Sequence, residues 1–325
     1  MTQPLLEVKN LRTYFVSAKG TRVVRAVDGV SFTLNEGETL GIVGESGSGK
    51  TVTSLSILRL LPPAARIVGG EIWFAGENLL KKSEREMQRV RGSQITMILQ
   101  DPLMSLNPLF TIGEQIAEPL RIHLGMRRQS LGERIKELLR GVRIPSPEVR
   151  MREYPHQMSG GMRQRIVGAI SISCEPRLLI ADEPTTSLDV TIQAQYLKLL
   201  KDIQKRSGLA MIFITHNIGI VAKMCDKVAV MYAGKLIERA PVRPIFNQPA
   251  HPYTEALLNA MPKLTDKTQR LWSIEGQPPD LANLPPGCAF SPRCPKAEDH
   301  CRREVPPEFQ VGDHHYARCW LWERR

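Results

Sequence analysis

Gly44-Glu45-Ser46-Gly47-Ser48-Gly49-Lys50-Thr51 is the stretch on which the fold turns. It fits the pattern G-x-x-x-x-G-K-[ST]. An apolar segment, Thr39–Val43, precedes it and reads as a buried strand. An apolar helix follows, ending near Leu61 before Pro62 and Pro63. Glycines let successive backbone N–H groups curl around a phosphate without Cβ clashes. The start of the following helix adds partial positive charge. Lys50 is placed to reach β- and γ-phosphates, and Thr51 to ligate Mg²⁺. An ordinary Gly-rich turn would have no need of the strand, the helix, the Lys and the Thr together.

Outward from this loop, Leu5–Phe15 and Arg25–Leu34 alternate apolar and polar residues as antiparallel strands do. Ile72–Phe74 with Gly76 predicts a strand and turn, Ser83–Val90 a short charged helix, and Ile95–Leu99 an apolar strand. Ile112–Leu124 and Leu131–Val142 carry apolar residues at helical spacing, which predicts a helical insert over about 101–157. Helix and strand then alternate: Arg163–Ser173 helix, Leu178–Asp182 strand, Ile192–Lys205 helix, Ala210–Thr215 strand, Ile218–Met224 helix and Val228–Tyr232 strand. Strands separated by helices predict an α/β core with a parallel sheet covered on both faces. The pattern fades after Met261, and Gln277–Pro286 holds four prolines. The expected division is therefore 1–260 for a nucleotide-binding domain and 261–325 for a small loop-rich C-terminal domain.

The strand Leu178–Asp182 ends in two carboxylates, Asp182 and Glu183. Alone, such an ending is usually a solvated strand terminus. Beside a phosphate loop, Asp182 is expected to hold Mg²⁺ through water and Glu183 to polarise an attacking water as general base.

Composition narrows the setting. Of 325 residues, 42% are hydrophobic and 24% charged, a globular profile. No apolar run approaches the roughly 18–20 residues that span a bilayer, and Met1–Asn10 carries Glu7 and Lys9, unlike a signal peptide. The net charge of +11 fits either an anionic partner or a solvated basic face. Lys and Arg are dispersed rather than blocked, which argues against a dedicated nucleic-acid tail.

Met158-Ser159-Gly160-Gly161-Met162-Arg163-Gln164-Arg165 resembles the signature segment of the ABC ATPases. Its usual form is Leu-Ser-Gly-Gly-Gln, so Met158 and Met162 depart from it while Ser-Gly-Gly at a helix start is intact. The resemblance implies that Ser159, Gly160 and Gly161 face the γ-phosphate bound by an opposite subunit, hence a dimer with ATP between partners. Gln100 resembles the Q-loop glutamine, which links Mg²⁺ and water to the helical insert. Ser187-Leu188-Asp189 resembles the D-loop, and His216 the switch histidine that contacts γ-phosphate. Phe15 is similar to the aromatic that stacks on adenine, with Tyr14 its neighbour on the other strand face. Asn217 stands where many relatives have Asp. The implied fold is a phosphate-loop (RecA-like) ABC core with an antiparallel β subdomain and a helical insert.

Further stretches resemble the oligopeptide/dipeptide/nickel importer ATPases. These are Gln100-Asp101-Pro102-Leu103-Met104-Ser105-Leu106-Asn107-Pro108, Tyr154-Pro155-His156, Ala181-Asp182-Glu183-Pro184-Thr185-Thr186, His251-Pro252-Tyr253-Thr254 and the tail with Gly287-Cys288 and Pro292-Arg293-Cys294-Pro295. That resemblance implies an ATPase powering uptake of peptides or related solutes from the cytoplasmic face of a bacterial inner membrane. It also implies a second, distinct ATPase subunit, two transmembrane permeases and an external substrate-binding protein. A soluble ABC ATPase acting on nucleic acid or ribosomes is the alternative, and an exporter subunit a third. Proteins of the nucleic-acid class fuse two cassettes or insert long coiled coils, and neither is found here, so no nucleic acid is expected.

The chain has six cysteines. Cys174 and Cys225 stand alone, while Cys288, Cys294, Cys301 and Cys319 crowd the tail. Soft sulfur ligands suit an iron–sulfur cluster or zinc, and free or disulfide-bonded thiols are the other options. The resemblance implies a [4Fe–4S] cluster on these four, as a staple for a loop-rich tail. His314 and His315 lie near Cys319 and read more simply as loop histidines.

Overall fold

The computed structural model describes residues 3–17, 19–101, 105–186, 188–261 and 274–323. Ser187 and the stretch 102–104 lie outside the described residues. Among the described residues twelve strands run in chain order: β1 Leu6–Val16, β2 Val23–Leu34, β3 Thr39–Val43, β4 Ala65–Phe74, β5 Glu77–Asn78, β6 Ile95–Ile98, β7 Leu178–Asp182, β8 Ala210–Thr215, β9 Lys227–Tyr232, β10 Lys235–Pro241, β11 Phe309–Gly312 and β12 His315–Ala317. The chain forms two compact units, 1–35 with 39–80 and 213–325, and 36–38 with 81–212.

In the first unit, β1 lies between β2 and β4, antiparallel to both, and β5 extends the sheet beyond β4. Alternate side chains of β1 (Leu6, Val8, Leu11 and Thr13) are buried, as a half-covered sheet requires. The strand expected at Ile72–Phe74 begins earlier, at Ala65. Pairing of Arg66 with Tyr14 and Ile67 with Thr13 holds the added residues extended. Local alternation does not reveal them, since Val68 is exposed.

The same unit carries β3 beside β9 in parallel, with Leu40 opposite Lys227 and Val43 opposite Val230. All five residues of β3 are buried. A two-residue turn, Ala233-Gly234, returns β9 into β10, with both residues at positive φ, 47° and 80°. Such turns match the twist of the strands they join.

The tail is more ordered than its sequence suggests. β12 pairs with β10 (Glu238 with Ala317, Arg239 with Tyr316), and β11 pairs with β12. A buried carboxylate organises this region. Glu238 accepts from the N–H groups of Ala250 (2.7 Å) and His251 (2.8 Å) and from His315 Nε2 (2.7 Å). His315 is thus part of the core rather than a loop bystander. His251 Nδ1 in turn accepts from Tyr253 N at 3.0 Å and caps the helix Pro252–Asn259.

The expected [4Fe–4S] cluster is not supported. Among the described residues no group of three or more His, Cys, Asp or Glu is arranged to hold a metal ion. Burial raises the pKa of Cys288 and Cys294 and pushes Cys319 up to about 12. The staple of the tail is instead the Glu238 network together with apolar contacts of Phe290, Leu281 and Leu284 on the first unit's core.

The second unit pairs β6 with β7 in parallel, Ile95 opposite Leu178. Its helices include Glu84–Val90, Ile112–Leu124, Arg128–Gly141, Gly160–Ile172 and Val190–Ser207. Ile112, Ile116 and Leu120 on one helix and Leu131, Ile135 and Leu138 on the next are buried at the spacing of a single helix face. Thr111 and Glu114 form a reciprocal capping box that fixes where the first of these starts. Among the described residues no helix is long and apolar enough to cross a membrane.

Burial depresses the pKa of His251 to about 4. In the unfolded chain it titrates near the ordinary value, about 6.5. Below that value the unfolded state takes up a proton that the folded state refuses. This part of the stability is full above pH 6.5 and drains as pH falls toward 4, on the order of 3 kcal/mol in all. Thermal melting from pH 7.5 to 4.5 should expose the loss, and His251→Asn, which keeps a capping acceptor, should flatten it. A wild-type melting temperature unchanged over that range would refute the assignment.

Candidate functional site

The phosphate loop leaves β3 and enters the nine-residue helix Lys50–Leu58. Gly49 caps this helix at φ 103°, and a Cβ on it would stand 2.2 Å from Ala26 O. A Cβ on Gly44 would stand 2.2 Å from Met231 O. The loop is thus packed directly on backbone. The tip of the β9–β10 turn braces it, with Gly234 N donating to Ser48 O at 3.0 Å. Asp28 N donates to Gly234 O at 2.8 Å, which ties the turn to β2.

Lys50 is 6% exposed, and its Nζ donates to Gly44 O (2.8 Å) and Glu45 O (3.0 Å). It therefore lies across the mouth of its own loop. Ser48 Oγ is buried and has no hydrogen-bond partner among the described residues. Buried polar atoms in folded proteins are nearly always paired, so this orphan marks a place for a ligand atom. Thr51, in the first turn of the helix, is exposed. The arrangement suits a polyphosphate, and the Thr51 hydroxyl is a hard oxygen donor of the kind Mg²⁺ takes.

The same unit holds two further expected residues. Phe15 is half-buried on β1, paired with Val24 and Ala65. Tyr14, beside it, donates to Asp28 Oδ1 at 2.8 Å. His216 follows β8 directly and is exposed. Asn217 caps the helix Ile218–Met224 by accepting from Gly219 N at 3.0 Å, so the departure at this position has a local structural use.

In the second unit, β7 ends with Asp182 buried at 3% exposure. Glu183 sits at φ 45°, a left-handed conformation that a residue with a side chain adopts at a cost of about 1–2 kcal/mol. Its carboxylate accepts from Gln100 Nε2 at 3.3 Å and from Thr186 Oγ1 at 3.0 Å. Gln100 and Glu183, 83 positions apart, are therefore brought together. Ser159 caps the helix Gly160–Ile172, accepting from Met162 N at 3.3 Å, and both Ser159 and Gly160 are exposed. Asp189 caps the helix Val190–Ser207, accepting from Thr191 N and Ile192 N. Ser159 and Asp189 thus each have a structural duty at a helix start.

Three engaged residues carry no motif role in the sequence. Thr186 is one: it closes the Ala181–Thr186 stretch quoted above, but that resemblance assigns its hydroxyl no role. Glu45 and Arg293 are the others. Glu45 occupies a variable position of the phosphate-loop pattern, and its ion pair with Arg293 joins residues 248 apart.

The ABC transporter family profile matches residues 27–186, and the oligopeptide/dipeptide transporter C-terminal region matches residues 237–301. A putative peptide import ATP-binding protein of Brucella ovis is 49% identical over 99% of this chain and 98% of its own length. The dipeptide transport ATP-binding protein DppD of Bacillus subtilis is 49% identical over 99% of this chain and 96% of its own. The oligopeptide transport ATP-binding protein OppD of the same organism is 51% identical over 98% and 88%. The chain belongs to the ABC transporter ATPases. Within them it falls in the oligopeptide/dipeptide branch, and it is an ATP-hydrolysing enzyme. Solved structures agree on the ABC cassette fold. Cassette MJ0796, dimeric and bound to ADP and Pi after hydrolysis, superposes at TM-score 0.65, 24% identity, over 73% of this chain and 99% of its own. The cbiO1 cassette of Clostridium perfringens, part of an ABC transporter complex, superposes at 0.65 and 26% identity, over 76% and 92%.

Gly49→Ala should displace the loop of this ABC ATPase from its backbone seat. The expected result is a loss of about 2 kcal/mol or more in stability together with loss of ATP binding. Denaturant unfolding and titration calorimetry measure the two, and a variant that unfolds and binds as the wild type does would contradict the packing described.

Proposed function

We propose that this ATPase powers import of peptides or related small solutes, working as one of two distinct ATPase subunits on a pair of membrane permeases supplied by an external binding protein. The observation that carries the reading is the near-full-length similarity to peptide, dipeptide and oligopeptide transport ATP-binding proteins. The division near residue 261 into a nucleotide-binding domain and a C-terminal domain belongs to the same proposal. So does a peripheral place on the cytoplasmic face of the membrane. A groove of about 670 Å³ in the second unit, lined by Phe110, Glu114, Glu118, Arg121 and Ile122, suits the grip on a permease helix. Leu109 and Ile122, 80% and 69% exposed, offer apolar contact beside it.

The roles follow from the side chains. Gly44, Ser46, Gly47, Ser48, Gly49 and Lys50 cradle the phosphates of ATP, and Phe15 stacks on its adenine. Lys50 turns from its own loop carbonyls to the β- and γ-phosphate oxygens, trading neutral acceptors for charged ones. Thr51, Gln100 and Asp182 hold Mg²⁺, which supplies charge neutralisation on the phosphates. Glu183 accepts the proton of the attacking water, aimed by Gln100 and Thr186, while His216 contacts the γ-phosphate. Ser159, Gly160, Gly161 and Asp189 serve the ATP held by the partner ATPase. ATP thereby favours the closed pair of subunits, since only that state contacts it from both sides.

Glu183→Gln should keep ATP binding and lower hydrolysis by at least about 100-fold. Phosphate release by the complete transporter in membranes or vesicles measures this, and undiminished turnover would sink the base assignment.

A further inference from the structure

A guanidinium offers five N–H donors in a rigid fork, and Arg293 uses every one. Nη1 donates to Glu45 Oε2 (2.8 Å) and Tyr232 Oη (3.3 Å), Nη2 to Glu45 Oε1 (3.1 Å) and Ile274 O (3.3 Å), and Nε to Glu275 O (2.9 Å). The Arg293 side chain is 6% exposed and that of Glu45 24%. Burial alone would lower the Arg293 pKa, but hydrogen bonds to Glu45 and Tyr232 outweigh it and the pKa is raised.

Glu45 is the second residue of the phosphate loop, and it is gripped at every polar group. Its N–H donates to Tyr253 Oη at 2.9 Å, its carbonyl accepts from Lys50, and its carboxylate meets Arg293. Tyr232, Tyr253 and Phe290 interlock behind this contact, with ring centroids 4.6–5.3 Å apart. Phe290 and Arg293 belong to the C-terminal segment, so that segment reaches into the loop. Electrostatics gives the contact a direction. A bare carboxylate in a phosphate-binding loop repels a polyphosphate, whereas a bidentate arginine neutralises it and fixes its geometry.

We propose that Arg293 is a positioning residue of the nucleotide site, through which the C-terminal segment holds Glu45 and sets the affinity of the phosphate loop for ATP. The proposal rests on the reading that Gly44–Thr51 hold the ATP phosphates.

Titration calorimetry of the full chain with ATP and Mg²⁺ tests it. Arg293→Met should weaken binding on the order of tenfold, because it leaves an uncompensated carboxylate in the loop. Glu45→Gln, which removes the charge but keeps an acceptor for Arg293, should change binding less than about threefold. The double variant should recover to within about threefold of the wild type. A role confined to folding would not be relieved by a second substitution. Binding unchanged in Arg293→Met, or weakened equally in Arg293→Met and the double variant, overturns the proposal. If Arg293→Met does not fold, Tyr253→Phe takes its place, since it keeps the ring and removes only the hydroxyl that holds the Glu45 N–H. Its affinity for ATP must then fall, and wild-type affinity overturns the proposal. Lys50→Ala separates the two levels. If it binds ATP as tightly as the wild type, the reading of the loop itself has failed, whatever Arg293 does.

Discussion

The loop between β3 and its helix is packed directly on other backbone, and much of the first unit is arranged around that contact. Side chains are too long to back such a loop closely, so other backbone does it. Ala26 O and Met231 O crowd the positions where Gly49 and Gly44 lack a Cβ, and Gly234 N fastens Ser48 O. These contacts come from β2, from β9 and from the turn after it. The register of β3 with β9 is therefore a requirement of the loop as much as of the sheet. A shift of one residue would move the Met231 carbonyl on which the loop rests.

Two carboxylates of the chain are held in different ways. Glu45 is saturated by a guanidinium, so its charge is answered and its oxygens are committed. Glu183 accepts from an amide, Gln100 Nε2, and a hydroxyl, Thr186 Oγ1. The left-handed backbone at Glu183 adds local strain, which is tolerated where surrounding structure over-determines a functional position.

Elements with local periodicity were legible from the sequence. The buried strand Thr39–Val43, the helices of the insert and the Leu178–Asp182 strand match their expected places, because side-chain spacing reports directly on helix or strand geometry. What escaped notice depends on distant partners. β12 has three residues and forms only because β10 has an edge to offer. The length of β4 is set by β1. Glu45 and Arg293 look like ordinary charged residues until the fold joins them. The tail cysteines misled for a related reason. Their clustering in sequence suggested a metal centre, whereas hydrogen bonds to Glu238 and apolar burial hold that region. Spacing alone records neither the arrangement of sulfur atoms nor the burial that keeps a thiol protonated.

The pairing of β12 on β10 also bears on solubility. A strand edge is a row of unsatisfied donors and acceptors, ready to recruit the edge of another molecule. β10 is seven residues long and mostly buried, an inviting template if left open. The chain covers it with a three-residue strand and finishes with the four-residue β11, whose pattern alternates between partly and fully exposed residues. A long border is thereby exchanged for a short one. The C-terminal segment thus acts as a hem for the sheet, guarding a protein made to meet several partners against adhering to its own copies.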